Sequence, residues 1–138
     1  MRSKLILRFF TLLCFFTGCT TNETKRPQTS LETGNIFIRA TLDGDIEKAR
    51  TLILDNEENR KMLEALSAFY EKLPEGKKKN LKTRSYQINK YEDLNDSTTI
   101  INYSCELLPK PMEIKMIRIK GLWYADIKYS IPGDLPID

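Results

Sequence analysis

Hydrophobic residues recur at two different periods along this chain, and the change of period divides it. Between residues 30 and 74 apolar side chains return every three or four positions, whereas from residue 81 to 129 they alternate. The first stretch predicts three helices. Ser30 stands as an N-cap ahead of Ile36, Phe37 and Ala40, and Gly44 marks the stop. Asp45 restarts the chain, with Ile46, Ala49, Leu52 and Ile53 on one face of a short second helix. The third helix follows Asp55-Asn56 and carries Met62, Leu63, Leu66, Phe69, Tyr70 and Leu73 as its stripe. Glu57 and Glu58 suit its positive end, and Pro74-Glu75-Gly76 ends it.

The second stretch predicts four strands. A weak one surrounds Tyr86 and Ile88; a strong one sets Thr99, Ile101, Tyr103, Cys105 and Leu107 against Ile100, Asn102, Ser104 and Glu106. In the third, from Met112 to Lys120, apolar positions step from Met112, Ile114 and Met116 to Ile117 and Ile119, and the step predicts a bulge. Lys120-Gly121 reads as a hairpin turn. The last strand places Trp123, Ala125, Ile127 and Tyr129 on one face and Tyr124, Asp126 and Lys128 on the other, up to Pro132-Gly133. Helices followed by antiparallel strands make an α+β domain, with N-terminal helices packed on a curved four-stranded antiparallel sheet. The 109 residues from Ser30 to Asp138 suffice for one core and one domain.

Ahead of the domain the pattern is neither helical nor alternating. Leu5 to Phe16 is an apolar core of about a dozen residues, part of a segment whose basic start holds Arg2, Lys4 and Arg8, and falls short of the roughly 20 that a spanning helix needs. Together with Phe16-Thr17-Gly18-Cys19 it resembles a bacterial lipoprotein signal peptide, in which small residues precede the cysteine that is acylated. The resemblance implies cleavage after residue 18 and a lipid anchor on Cys19; Cys14, preceded by Leu12-Leu13, fits poorly. Residues 19–29 then form the lipidated cysteine and a polar tether expected to be flexible, and residues 30–138 form the domain. The implied address is the bacterial cell envelope, anchored in the outer membrane and facing the periplasm, with exposure at the cell surface as the open alternative.

Cleavage alters the charge. Residues 1–18 hold three of the 22 basic side chains and none of the 19 acidic ones, so the mature chain is neutral. That leaves no broad basic surface for nucleic acid, and no nucleic-acid partner is expected. Once Cys19 is acylated, Cys105 has no thiol to pair with inside the chain, and the fold must rest on packing.

The stretch from Phe37 to Ala49, with its Gly44-Asp45 break and Lys48-Ala49 behind it, resembles the opening helices of small bacterial proteins of the nuclear-transport-factor-2-like, or cystatin-like, fold. Lys120-Gly121-Leu122-Trp123 is similar to that family's closing hairpin. Look-alikes include small lipoproteins of a lumazine-binding-like group, and the resemblance implies a cone whose mouth can hold a small apolar ligand. Some members use it for isomerase or dehydratase chemistry.

Candidate chemistry is sparse. The chain has no histidine, which removes the commonest general base and transition-metal ligand, and no catalytic residue, metal or cofactor is expected. By alternation Asp126 and Glu106 fall on faces rich in Asn, Ser and Lys and should be solvated. Cys105 shares a face with Ile101 and Tyr103 and reads as a buried thiol. Phe69, Tyr70, Tyr86, Tyr103 and Trp123 are the candidate pocket lining, against the plainer reading of an aromatic core. Lys77-Lys78-Lys79 reads as a solvated turn, and Asp96-Ser97-Thr98 as a turn resembling an O-glycosylation acceptor. The expected function is that of a membrane-anchored, non-enzymatic protein-interaction module with an envelope protein as partner. A binder of a small apolar ligand is the alternative, and an isomerase or dehydratase a more distant one. Cys19→Ser should yield an unlipidated chain that fractionates away from membranes; continued membrane retention would overturn the anchor assignment.

Overall fold

The computed structural model describes residues 25–129, apart from 107 and 109. The signal segment, Cys19, Leu107 and the Pro132-Gly133 stop lie outside the described residues. Among those described, no helix is long and apolar enough to cross a membrane. In chain order the elements are α1 (Ser30–Asp43), α2 (Ile46–Arg50), α3 (Glu57–Lys72), α4 (Glu75–Thr83), β1 (Tyr86–Asn95), β2 (Thr98–Cys105), β3 (Met112–Ile119) and β4 (Leu122–Asp126). A 3-10 turn, Ile127–Tyr129, follows. The architecture is α+β: helices lead into one curved, unclosed antiparallel sheet in the order β1-β2-β3-β4.

Side chains cap the starts of α1, α2 and α3. Thr29, one residue before the expected Ser30, is the N-cap of α1, and its hydroxyl accepts from the Glu32 amide at 3.1 Å while Glu32 reaches back to accept from the Gln28 amide. Asp45 and Asn56 cap α2 and α3 in the same way. Gly44 closes α1 in the left-handed conformation, φ 74°, as expected of a glycine stop. A Cβ there would fall 2.2 Å from the Tyr70 ring.

The core lies between α1 and the inner face of the sheet. Phe37, Ile38, Ala40 and Leu42 of α1 meet Ile101, Tyr103, Ile114, Met116 and Ala125, and each large aliphatic so buried contributes about 1.5–3 kcal/mol. Strand β2 alternates cleanly: Thr99, Ile101, Tyr103 and Cys105 are buried and their neighbours half-buried. Cys105 is a free, buried thiol. The β3–β4 turn has Lys120 at φ 49° and Gly121 at φ 82°, the paired left-handed conformations of a two-residue hairpin loop.

Four expectations are corrected. Residues 75–83 form a fourth helix rather than a turn and the start of a strand, so Lys77, Lys78 and Lys79 stand on α4. The register of β3 is continuous against both neighbours; Ile117 and Ile119 simply face outward, and the irregularities lie in β1, at Ile88/Lys90 and Asp93/Asn95. The last strand stops at Asp126, where the 3-10 turn rotates the chain and carries this residue inward to 3% exposure. Finally, the tether is pinned before residue 30: Pro27 is buried and the Arg26 guanidinium lies 4.5 Å from the Tyr124 ring centroid. Arg26 Nε and Nη2 find no hydrogen-bond acceptor among the described residues, so the ring face is their counterpart.

The two sheet edges differ. Beside β4 the α2–α3 connection adds a short parallel bridge, with Leu54 N donating to Ala125 O at 2.9 Å and Ala125 N to Leu52 O at 2.8 Å. Strand β1 is open, but its two irregularities and its Lys90, Glu92 and Asp93 discourage pairing with another chain. Asn59 joins α3 to this construction. Its Nδ2 donates to Leu54 O at 3.0 Å and to Asp126 Oδ1 at 3.1 Å, and its Oδ1 accepts from the Ile127 and Lys128 amides at 2.9 and 3.1 Å. Asn59→Leu leaves two amides, a carbonyl and a carboxylate without that partner, and should cost at least about 3 kcal/mol in chemical denaturation.

Candidate functional site

Helix α3 is held mainly through α2 and the 3-10 turn, while α1 lies across β2, β3 and β4. Of the apolar stripe on α3 only Leu63 is fully buried; Met62 and Leu66 are partly covered and Phe69 is 37% exposed. The stripe therefore overhangs the sheet. Beneath it is a partly open cavity of about 100 Å³, floored by Tyr103, Met112 and Ile114 and walled by Met62, Leu66, Phe69, Tyr70 and Leu81. Phe37, Thr41, Leu42, Leu108 and Ile127 complete it.

Nothing charged lines this space. The Thr41 hydroxyl donates to Ile38 O at 2.9 Å and the Tyr70 hydroxyl to Asp43 O at 3.0 Å, so both are turned to the protein's own backbone. Burial pushes the Tyr103 phenol far above its ordinary range. Tyr86 is raised by burial too, against the opposing Arg39 charge. At the rim, the Lys78 ammonium sits 5.9 Å from the Tyr70 centroid and bonds Glu75 at 2.9 Å, holding that exposed carboxyl below its ordinary value. Arg39 ties α4 to α1 by donating to the Leu81 and Arg84 carbonyls.

Of the five candidate pocket residues, Phe69, Tyr70 and Tyr103 meet at this cavity. Tyr86 stands behind Tyr103, edge-on at 6.1 Å, with its hydroxyl donating to Asn35 Oδ1. Trp123 is buried at the far end of the sheet, where Arg118 lies 6.0 Å from its ring. Sequence reasoning missed Met62, Leu66, Leu81 and Met112 as lining. A stripe as long as that of α3, wider than a small core can cover, was the available signal.

The two carboxylates considered for chemistry lie elsewhere. Glu106 is exposed and paired with Arg84. Asp126, expected in solvent, is buried, but its Oδ1 takes the Asn59 amide and it does not line the cavity. Among the described residues no cluster of three or more His, Cys, Asp or Glu could hold a metal. No protein-family model, curated protein or solved structure matches the chain.

Tyr103 gives the site a pH signature. Its folded pKa lies above the ordinary value near 10, so the folded state keeps the proton where the unfolded state loses it. That stability is complete below about pH 10 and is lost as pH rises toward the folded value. Equilibrium unfolding of Tyr103→Phe should therefore show a shallower loss of stability above about pH 10 than the parent chain.

Proposed function

We propose that this chain is a membrane-anchored, non-enzymatic lipoprotein of a bacterial envelope that serves as a protein-interaction module. Its cavity would receive one apolar side chain of a partner, and its fold would place it with the nuclear-transport-factor-2-like group. The order of helices and strands and the Lys120-Gly121 hairpin support the family reading.

The observation that carries the functional reading is the combination of size and lining. About 100 Å³ is less than the roughly 150 Å³ that accommodates a benzene ring, and well below the roughly 300–1,000 Å³ of ordinary ligand sites. A side chain fits that space; a flavin-sized or steroid-sized ligand does not. An acid–base enzyme of this architecture would want a carboxylate within the cavity, and the lining supplies only apolar groups, a threonine and two phenols. Phe69, exposed on the overhang, presents an apolar lip beside the opening.

A photoreactive phenylalanine analogue at Phe69 should crosslink in cells to a discrete protein, and the product should disappear when Leu66→Asp is added. Failure to trap any protein, together with a small molecule retained in native mass spectra of the purified chain, would replace the partner reading by the ligand alternative.

A further inference from the structure

We propose that the end of the domain where the chain arrives from Cys19 docks directly on an anionic phospholipid surface, through the tip of the β3–β4 hairpin and the apolar residues beside it. The inference takes its orientation from the anchor reading above.

The tether is short. Between Cys19 and Arg26, where the chain is stacked on Tyr124, there are seven residue steps, which reach about 25 Å when fully extended. A domain of this size is roughly 30 Å across. Such a tether cannot carry the far end of the domain round to the membrane, so the near end faces it.

The near end gathers several apolar side chains. Ser30 Oγ and Tyr91 Oη are 2.7 Å apart, and Arg118 N donates to Ser97 O at 2.8 Å, so the start of α1, the β1–β2 turn and the β3–β4 hairpin share one end. Five large hydrophobic residues are exposed on the described surface, and four of them, Leu31, Tyr91, Leu94 and Ile119, are here. Only Phe69 is elsewhere, at the cavity. The hairpin itself is basic. From Ile117 to Tyr124 the chain carries Arg118 and Lys120 and no acid, and Arg26 adjoins it at Tyr124. Of the acids nearby, Glu92 is paired with Lys90; Asp93 and Glu32 accept from neutral groups, the Thr99 hydroxyl at 2.6 Å and the Gln28 amide, and with Asp96 they lie on β1, its turn into β2 and the start of α1, not on the hairpin. Exposed Leu, Ile and Tyr beside Arg and Lys match the chemistry of a membrane interface, with apolar groups at the acyl boundary and cations among the phosphates. Helix α4, basic as it is, is fixed through Arg39, about 13 Å along α1 from its start, and stands away from this end.

The test uses the chain from Thr20 to Asp138, which keeps every core residue among those described, from Phe37 to Ile127. It should co-sediment with phosphatidylglycerol vesicles, less so as salt rises, and poorly with phosphatidylcholine. At about fivefold per basic residue, Arg118→Glu with Lys120→Glu should lower partitioning more than tenfold. Lys120→Glu alone, at an exposed turn, should lower it about fivefold or more, and Lys77→Glu with Lys79→Glu on α4 should leave it unchanged. Equal binding of the hairpin variants and the parent, equal binding to both lipids, loss of binding through the α4 variant, or no binding to any vesicle would each overturn the proposal. Because this chain carries no lipid, such a failure leaves the anchor on Cys19 to be judged by its own fractionation experiment.

Discussion

The side-chain amide of Asn59 fixes the relation between helices and sheet. Fully buried, it uses both of its donors and both acceptor sites: the donors go to Leu54 O and Asp126 Oδ1, the oxygen to the amides of Ile127 and Lys128. A hydrophobic residue there would meet four polar groups, and a differently shaped polar residue would satisfy fewer of them. The same bonds explain why the last strand ends where it does. With two backbone amides turned toward a helix, residues 127 and 128 cannot continue a ladder, and Asp126 follows them inward.

The cavity is a by-product of that attachment. Helix α3 is held at its first turns, through Asn59 and Leu63, and its later turns rest on Tyr70 against Asp43 and on the neighbouring α4. Met62, Leu66 and Phe69 are left leaning over the sheet, with a gap between them and the side chains of α1 and the strands below. A thin layer of apolar surface thus stays partly uncovered, which a core-forming helix would have closed.

Much of the fold was legible because its signals are local. The caps of α2 and α3, the Gly44 stop, the alternation in β2 and the Lys120-Gly121 turn each depend on a few adjacent residues. Helix α4 escaped because Glu75–Thr83 carries one apolar side chain, Leu81, and therefore no period, while Pro74 and Gly76 read as breakers. Pro74 is in fact the N-cap, and the lysines beyond it are good helix formers. Asp126 was misplaced because alternation was extended past the point where a residue 67 positions earlier ends the strand. The site was half legible for a related reason: composition singled out the aromatics, but only the topology decides that Tyr103 lies beneath α3 while Trp123 lies at the opposite end.

The turn between β3 and β4 has a cost built into it. A two-residue loop of this type wants glycine, asparagine or aspartate at both central positions, because a side chain in the left-handed region crowds its own backbone. Gly121 meets that demand and Lys120, at φ 49°, does not. The hairpin therefore forgoes roughly 1–2 kcal/mol of local stability at its most exposed point. What it keeps in exchange is a cation carried on a four-carbon stem, standing out beyond the end of the sheet where asparagine would be the more comfortable resident.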